Sequence, residues 1–118
     1  NELFVRNLEE RDAAVGEIVR EVGDLPFIWI GPPNWKPDTG INDILLDHCG
    51  KKRYYPSLRL KYQRAKDGAH PVLSSYNMWA DSVSTWLRDS SAHPIRWGIP
   101  EKDTPKTHGV TILSPPKD

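Results

Sequence analysis

The run Pro26-Phe27-Ile28-Trp29-Ile30-Gly31, closed by the diproline Pro32-Pro33, is apolar almost without interruption. A strand with one wet face alternates polar and apolar side chains. A run without alternation fits a strand buried on both faces, as in a parallel sheet. The preceding segment strengthens that expectation. Between Leu8 and Val22, the residues Val15, Ile18, Val19 and Val22 recur at i, i+3, i+4 and i+7, leaving Glu9, Glu10, Arg11, Glu17 and Arg20 for the wet side. This is the pattern of an amphipathic helix, and Gly23 is placed to end it. Ile41 to Cys49 reads as a second helix, with Ile41, Ile44, Leu45 and His48 on one side and Gly50 as its stop. Tyr54, Tyr55 and Leu58 give a weaker strand signal over Arg53 to Leu60, interrupted by Pro56. Ser74 or Ser75 is expected to N-cap a last helix running to about Leu87, striped by Trp79, Val83, Trp86 and Leu87. Helix-to-strand passages of this kind predict an α/β layered sheet with right-handed connections. A sheet of so few strands leaves bare edges and an exposed face, so another segment is expected to complete it.

The chain has 118 residues, enough for one domain with a modest core. Folding at this size buries about two thirds of the surface of the unfolded chain. Its 16 Lys plus Arg balance 16 Asp plus Glu. Such a balance offers no basic face to nucleic acid, and Lys51-Lys52-Arg53 is too short to change that. The mean hydropathy of −0.62 and the absence of a long apolar run argue against a membrane span, which needs about 20 apolar residues. The chain starts with Asn rather than Met and no apolar leader follows, so it is expected to be part of a longer or processed protein. Cys49 is the sole cysteine, which excludes an internal disulfide and disfavours a thiolate metal site. It leaves the compartment open, with a secreted or periplasmic setting as the working expectation. From Ser90 onward Pro94, Pro100, Pro105, Pro115 and Pro116 interrupt a stretch without periodicity. The expected organisation is a domain over 1–89 and an extended tail over 90–118, with Trp97 pinning the tail to the body.

The chemistry-bearing segment is Asp67-Gly68-Ala69-His70-Pro71. A carboxylate three residues before a histidine, on a tight Gly-containing turn, can hold an imidazole in one tautomer. That is the orienter and base half of a hydrolytic triad. No Ser lies in a G-x-S-x-G or Gly-Asp-Ser setting, so the nucleophile is missing. The plainer alternative is a turn in which Asp67 caps a backbone N–H and His70 is merely solvated. Loops at the carboxyl end of parallel strands are where open α/β folds place their ligand crevice. Trp35, with Asn34 beside it in the loop after the diproline, is therefore a candidate to line an acyl or sugar pocket. An anchor filling a gap on the sheet edge is the competing role for Trp35. Trp29, Trp79 and Trp86 have the phase of core residues. His48, His93 and His108 lack ligand-like spacing, which speaks against a metal site. Cys49 follows His48, but neighbouring helix residues point about 100° apart, so a buried structural thiol is expected. Arg53, Arg59 and Arg64 are expected to form a solvated face.

The order of these segments resembles the SGNH (GDSL-type) hydrolases, a family of esterases, lipases and carbohydrate O-acetylesterases. The resemblance spans residues 1–88 and rests on the strand with its diproline, the Asp67-x-x-His70-Pro71 motif, and the closing helix with Trp79-Ala80-Asp81 and Trp86-Leu87. It implies a flavodoxin-like, three-layer parallel sheet of which this chain supplies the C-terminal part. It also implies a serine esterase, without a cofactor, acting on acetyl or other small acyl esters of carbohydrate. His70 would be the general base and Asp67 its orienter. The family draws an oxyanion donor from the Asn of a Gly-x-Asn-Asp/Glu motif. Gly40-Ile41-Asn42-Asp43 spells that motif but follows the diproline strand, whereas the family places it one helix before. Asn1 occupies the expected position and is the preferred candidate, with Asn42 left as helix-start chemistry. The Ser would come from a complementary N-terminal segment or chain, and the chain by itself is expected to be inactive. The alternative is a non-catalytic domain that keeps the scaffold and holds a glycan or protein partner through Trp35 and its polar neighbours.

Overall fold

A computed structural model describes residues 7–95; Asn1, Trp97, His108 and most of the Pro-rich tail lie outside the described residues. The elements are α1 (Leu8–Val22), β1 (Trp29–Ile30), α2 (Ile41–Cys49), β2 (Tyr54–Tyr55), a 3₁₀ turn (Ser57–Arg59) and α3 (Leu73–Asp89). Asn7 caps α1 by accepting the Glu10 N–H at 3.2 Å, and Glu9 and Glu10 place negative charge in its first turn. At the far end Gly23 takes φ 58° and donates to the Val19 and Arg20 carbonyls. α2 receives its cap from the Asp38 carboxylate, which accepts N–H donors from Gly40 at 3.0 Å and Asn42 at 3.3 Å.

β1 and β2 are parallel, Trp29 opposite Tyr54 and Ile30 opposite Tyr55, with α2 as the connection between them. The Trp29 N–H donates to the Arg53 carbonyl at 2.7 Å and Gly31 to Tyr55 at 2.8 Å. The ladder stops there because Pro32 and Pro56, next on either strand, have no N–H to offer. The apolar run over 26–31 thus contributes only two residues of regular strand.

Adjacent strand residues face opposite sides of a sheet, and the two tyrosines show what lies on each. Tyr54 is fully buried with Val15, Ile41, Leu45 and Cys49 of α1 and α2, with Trp29 packed against the same cluster. Its hydroxyl donates to Asn42 Oδ1 at 2.7 Å. Burial, reinforced by the Asp38 carboxylate, pushes the phenol up to about 12. Tyr55 meets α3 instead, its ring 5.4 Å from that of Trp86. Helices therefore lie on both sides of the sheet. A methyl group at Gly31 would lie 2.9 Å from Tyr54 Cζ, so glycine is required for this approach.

Three expectations need correction. The strand is not buried on both faces, since Ile30 is 44% exposed. It shares the α3 side with Tyr55, and α3 reaches over β2 without covering β1. Ile18 is also exposed, while Val15 and Val19 are the α1 residues packed in the apolar cluster. α3 starts at Leu73 with no side-chain cap. Ser75, one of the expected caps, is buried one turn in, and its Oγ accepts the Gln63 N–H at 2.8 Å. Beyond α3 the chain folds back: Ser91 Oγ donates to Leu87 O at 2.7 Å, and the Ala92 N–H donates to Lys52 O at 2.8 Å. Among the described residues no helix is long and apolar enough to cross a membrane.

Candidate active site

The loop between the 3₁₀ turn and α3 carries the site, and its backbone closes on itself. Ala65 N–H donates to His70 O at 2.8 Å and Val72 N–H to Gln63 O at 2.9 Å, around an antiparallel bridge between Arg64 and Pro71. The tip needs a left-handed residue and Gly68 supplies it, at φ 70°. Asp67 then spends both oxygens locally. Oδ1 accepts the N–H groups of Ala69 at 2.9 Å and His70 at 3.0 Å, while Oδ2 lies 2.5 Å from His70 Nδ1. One carboxylate thus caps two backbone N–H groups and also meets the imidazole, while the His70 ring is largely solvated, as in the plainer alternative. The hydrogen bond to His70, aided by the two amides, holds the Asp67 carboxyl down at about 2.

A carboxylate can only accept, so Nδ1 carries a proton, and in a neutral ring Nε2 is then the nitrogen with the lone pair. The His70 side chain is 75% exposed and that of Asp67 48%, which leaves the basic nitrogen facing outward. Among the described residues no hydroxyl hydrogen-bonds to this ring. The buried serines are engaged elsewhere: Ser57 Oγ accepts the Trp79 Nε1–H at 2.8 Å, and Ser75 and Ser91 hold the backbone contacts given above.

The diproline loop approaches this turn through Arg64, a residue expected in a solvated face and found partly buried. Its Nη1 donates to Pro33 O at 3.1 Å and Ala69 O at 2.8 Å, and its Nη2 to Asn34 O at 2.6 Å. The guanidinium lies over the Tyr62 ring, 4.8 Å from the centroid. Periodicity gave no hint of this role, since the partners are main-chain carbonyls. The Asn34 side-chain amide is buried, with neither its oxygen nor its nitrogen hydrogen-bonded among the described residues. Trp35 is 38% exposed with the Lys36 ammonium 4.4 Å from its ring centroid. Asn42, the alternative oxyanion donor, is engaged in the scaffold, its amide oxygen held by Tyr54. Asn1 lies outside the described residues.

A second imidazole–carboxylate contact, His48 Nε2 to Asp12 Oδ1 at 2.7 Å, ties α2 to α1 far from this loop in sequence. Cys49 beside it is buried, and burial pushes its thiol up although Arg53 pulls the other way. Among the described residues no three His, Cys, Asp or Glu side chains are grouped to hold a metal. A groove of about 470 Å³ lies between β2 and α3, lined by residues including Tyr55, Arg59, Leu60 and Trp86, and none of the expected site residues lines it. No family model, curated protein or solved structure gives a significant match to the chain.

Proposed function

We propose that this chain is the His/Asp-bearing part of an SGNH-type serine esterase for acetyl or other small acyl esters of carbohydrate. A complementary segment, by this reading, brings a Ser hydroxyl to His70 Nε2. The observation that carries the proposal is the Asp67–His70 geometry: the carboxylate meets Nδ1 and the ring is otherwise largely exposed. When the Ser oxygen attacks the ester carbonyl, His70 takes its proton at Nε2. The resulting imidazolium is stabilised by the Asp67 carboxylate, which is ionised at neutral pH. The same nitrogen then returns the proton to the departing alkoxide, and repeats the exchange with water to release the acid. Asn1 is the proposed oxyanion donor and the Trp35 indole a platform for the sugar ring.

Two features of the scaffold support a complementary segment and a flavodoxin-like completion. Helices already lie on both sides of a parallel pair of strands, and Ile30 is left uncovered on the α3 side. β1 also bonds to β2 through Trp29 and Gly31, so the alternate main-chain groups of Ile28 and Ile30 face the other edge. They have no strand partner among the described residues.

The test is hydrolysis of p-nitrophenyl acetate, first by the chain alone and then by the chain joined to a Ser-bearing segment. The lone chain should do no better than buffer. The completed protein should turn over, with His70→Ala lowering kcat by about 10⁵ or more and Asp67→Asn by about 10⁴, the scale seen when a triad loses its base or orienter. Turnover of the completed protein that survives His70→Ala would sink the esterase reading and return the scaffold to the non-catalytic binding class.

A further inference from the structure

We propose that Arg64 is the positioning residue of this site. It fixes where the His70 turn sits relative to the Pro33–Trp35 loop, while Asp67 fixes the ring within the turn. The naming of what is positioned rests on the esterase reading; the clamp itself rests on geometry alone. The hydrogen bonds that close the turn, Ala65 to His70 and Val72 to Gln63, lie within 63–72; the Gln63 N–H also ties the base of the turn to Ser75 of α3, and none of these bonds reaches the Pro33–Trp35 loop. Asp67 likewise bonds only to Ala69 and His70. Orientation of the imidazole is thus local, and placing the turn against the loop requires a separate contact.

Arg64 makes that contact from a residue on the turn itself. One nitrogen is shared between Ala69 O on the turn and Pro33 O on the loop, and the other binds Asn34 O. The three acceptors lie at the reach of a planar fork, which a lysine ammonium on a flexible stem does not reproduce. The fork also has a ring at its back. It lies over Tyr62, whose hydroxyl donates to Ser57 O at 2.7 Å, and Ser57 is fully buried beneath Trp79. A chain of contacts therefore runs from α3 through Ser57 and Tyr62 to the guanidinium and out to both loops. A solvated surface arginine would have no such support. The carbonyls of Pro33 and Asn34 precede Trp35, so the clamp holds a proposed substrate-contacting loop and the proposed base in register.

The 118-residue chain, labelled with ¹³C and ¹⁵N, tests this without any activity assay. The readouts are the carbonyl ¹³C shifts of Pro33, Asn34 and Ala69, and the ring ¹⁵N shifts of His70. Arg64→Lys and Arg64→Gln should move the three carbonyls together and leave His70 in its Nδ1–H tautomer. Asp67→Asn should do the converse, altering the ring nitrogens and sparing the Pro33 and Asn34 carbonyls. The clamp is overturned if Arg64→Lys leaves those two carbonyls in place, or if it disturbs the ring as fully as Asp67→Asn does. It is equally overturned if both Arg64 variants lose the Val15 and Leu45 core resonances, since Arg64 would then be a general stability residue. An inactive completed protein with the carbonyl pattern intact would sink the esterase reading and leave the clamp standing.

Discussion

At the scale of single residues, the unusual feature of Asp67 is that an exposed carboxylate has three donors. Exposed charges are well solvated, so a lone ion pair there contributes little. What distinguishes Asp67 is that Ala69 N–H, His70 N–H and His70 Nδ1 all converge on it within one turn. The ionised form is favoured in the folded chain, and its carboxyl lies near 2 against an ordinary 3.8. The sign follows from that direction. The contribution to stability is present above 3.8 and disappears as pH falls through about 2. A ¹³C-detected titration of the carboxyl should therefore place its midpoint near 2. In His70→Ala the midpoint should rise without reaching 3.8, because the largest cause is gone but both backbone N–H groups remain. A midpoint unmoved by that substitution would mean that the imidazole is not bound to the carboxylate in solution.

At the scale of elements, the α1–α2 pair sets apolar burial against a polar tie, and magnitudes decide between them. Leu45 is 3% exposed in the centre of the cluster, so Leu45→Ala should destabilise by about 2–4 kcal/mol through lost transfer energy and a cavity. His48→Ala removes the 2.7 Å contact to Asp12, yet a partly exposed pair of this kind is worth under about 1 kcal/mol. Urea unfolding of the two variants should keep that order, and a reversal would assign the helix pairing to the ion pair. Both helices are legible in the sequence because Val15, Val19, Ile41 and Leu45 recur at helical spacing and Gly23 and Gly50 end them. The same phase does not say whether anything covers a residue, which is why Ile18 and Ile30 read as core and are exposed. The start of α3 was hidden for another reason. Ser75 has the composition of a cap, but its hydroxyl serves a tertiary partner, the Gln63 N–H. Asp67 and His70 were legible because both partners are side chains in one short motif. Arg64 was not, because it binds carbonyls, and every residue has a carbonyl.

At the scale of the whole molecule, the described body is asymmetric. On the α1–α2 side the sheet is closed over Tyr54 and Trp29. On the α3 side Trp86 covers Tyr55, and Ile30, its neighbour across the ladder, stays open. An apolar side chain beside a strand edge with unpaired main-chain groups invites pairing with another strand, and folded proteins commonly blunt such edges with charge. Ile28 and Ile30 themselves carry no charge. A charge at position 30 therefore separates two roles that coincide in the native residue. In the isolated chain the position is 44% exposed, so Ile30→Lys should change stability by about 1 kcal/mol or less, well short of a core substitution. In the completed protein the same lysine would be carried under the incoming layer, where an unpaired ammonium is costly to bury. Thermal unfolding of the lone chain should therefore shift only modestly, while recovery of p-nitrophenyl acetate hydrolysis on adding the Ser-bearing segment should be lost. If the lysine variant recovers activity in full, the complement does not cover this face, and the sheet must be completed elsewhere or not at all.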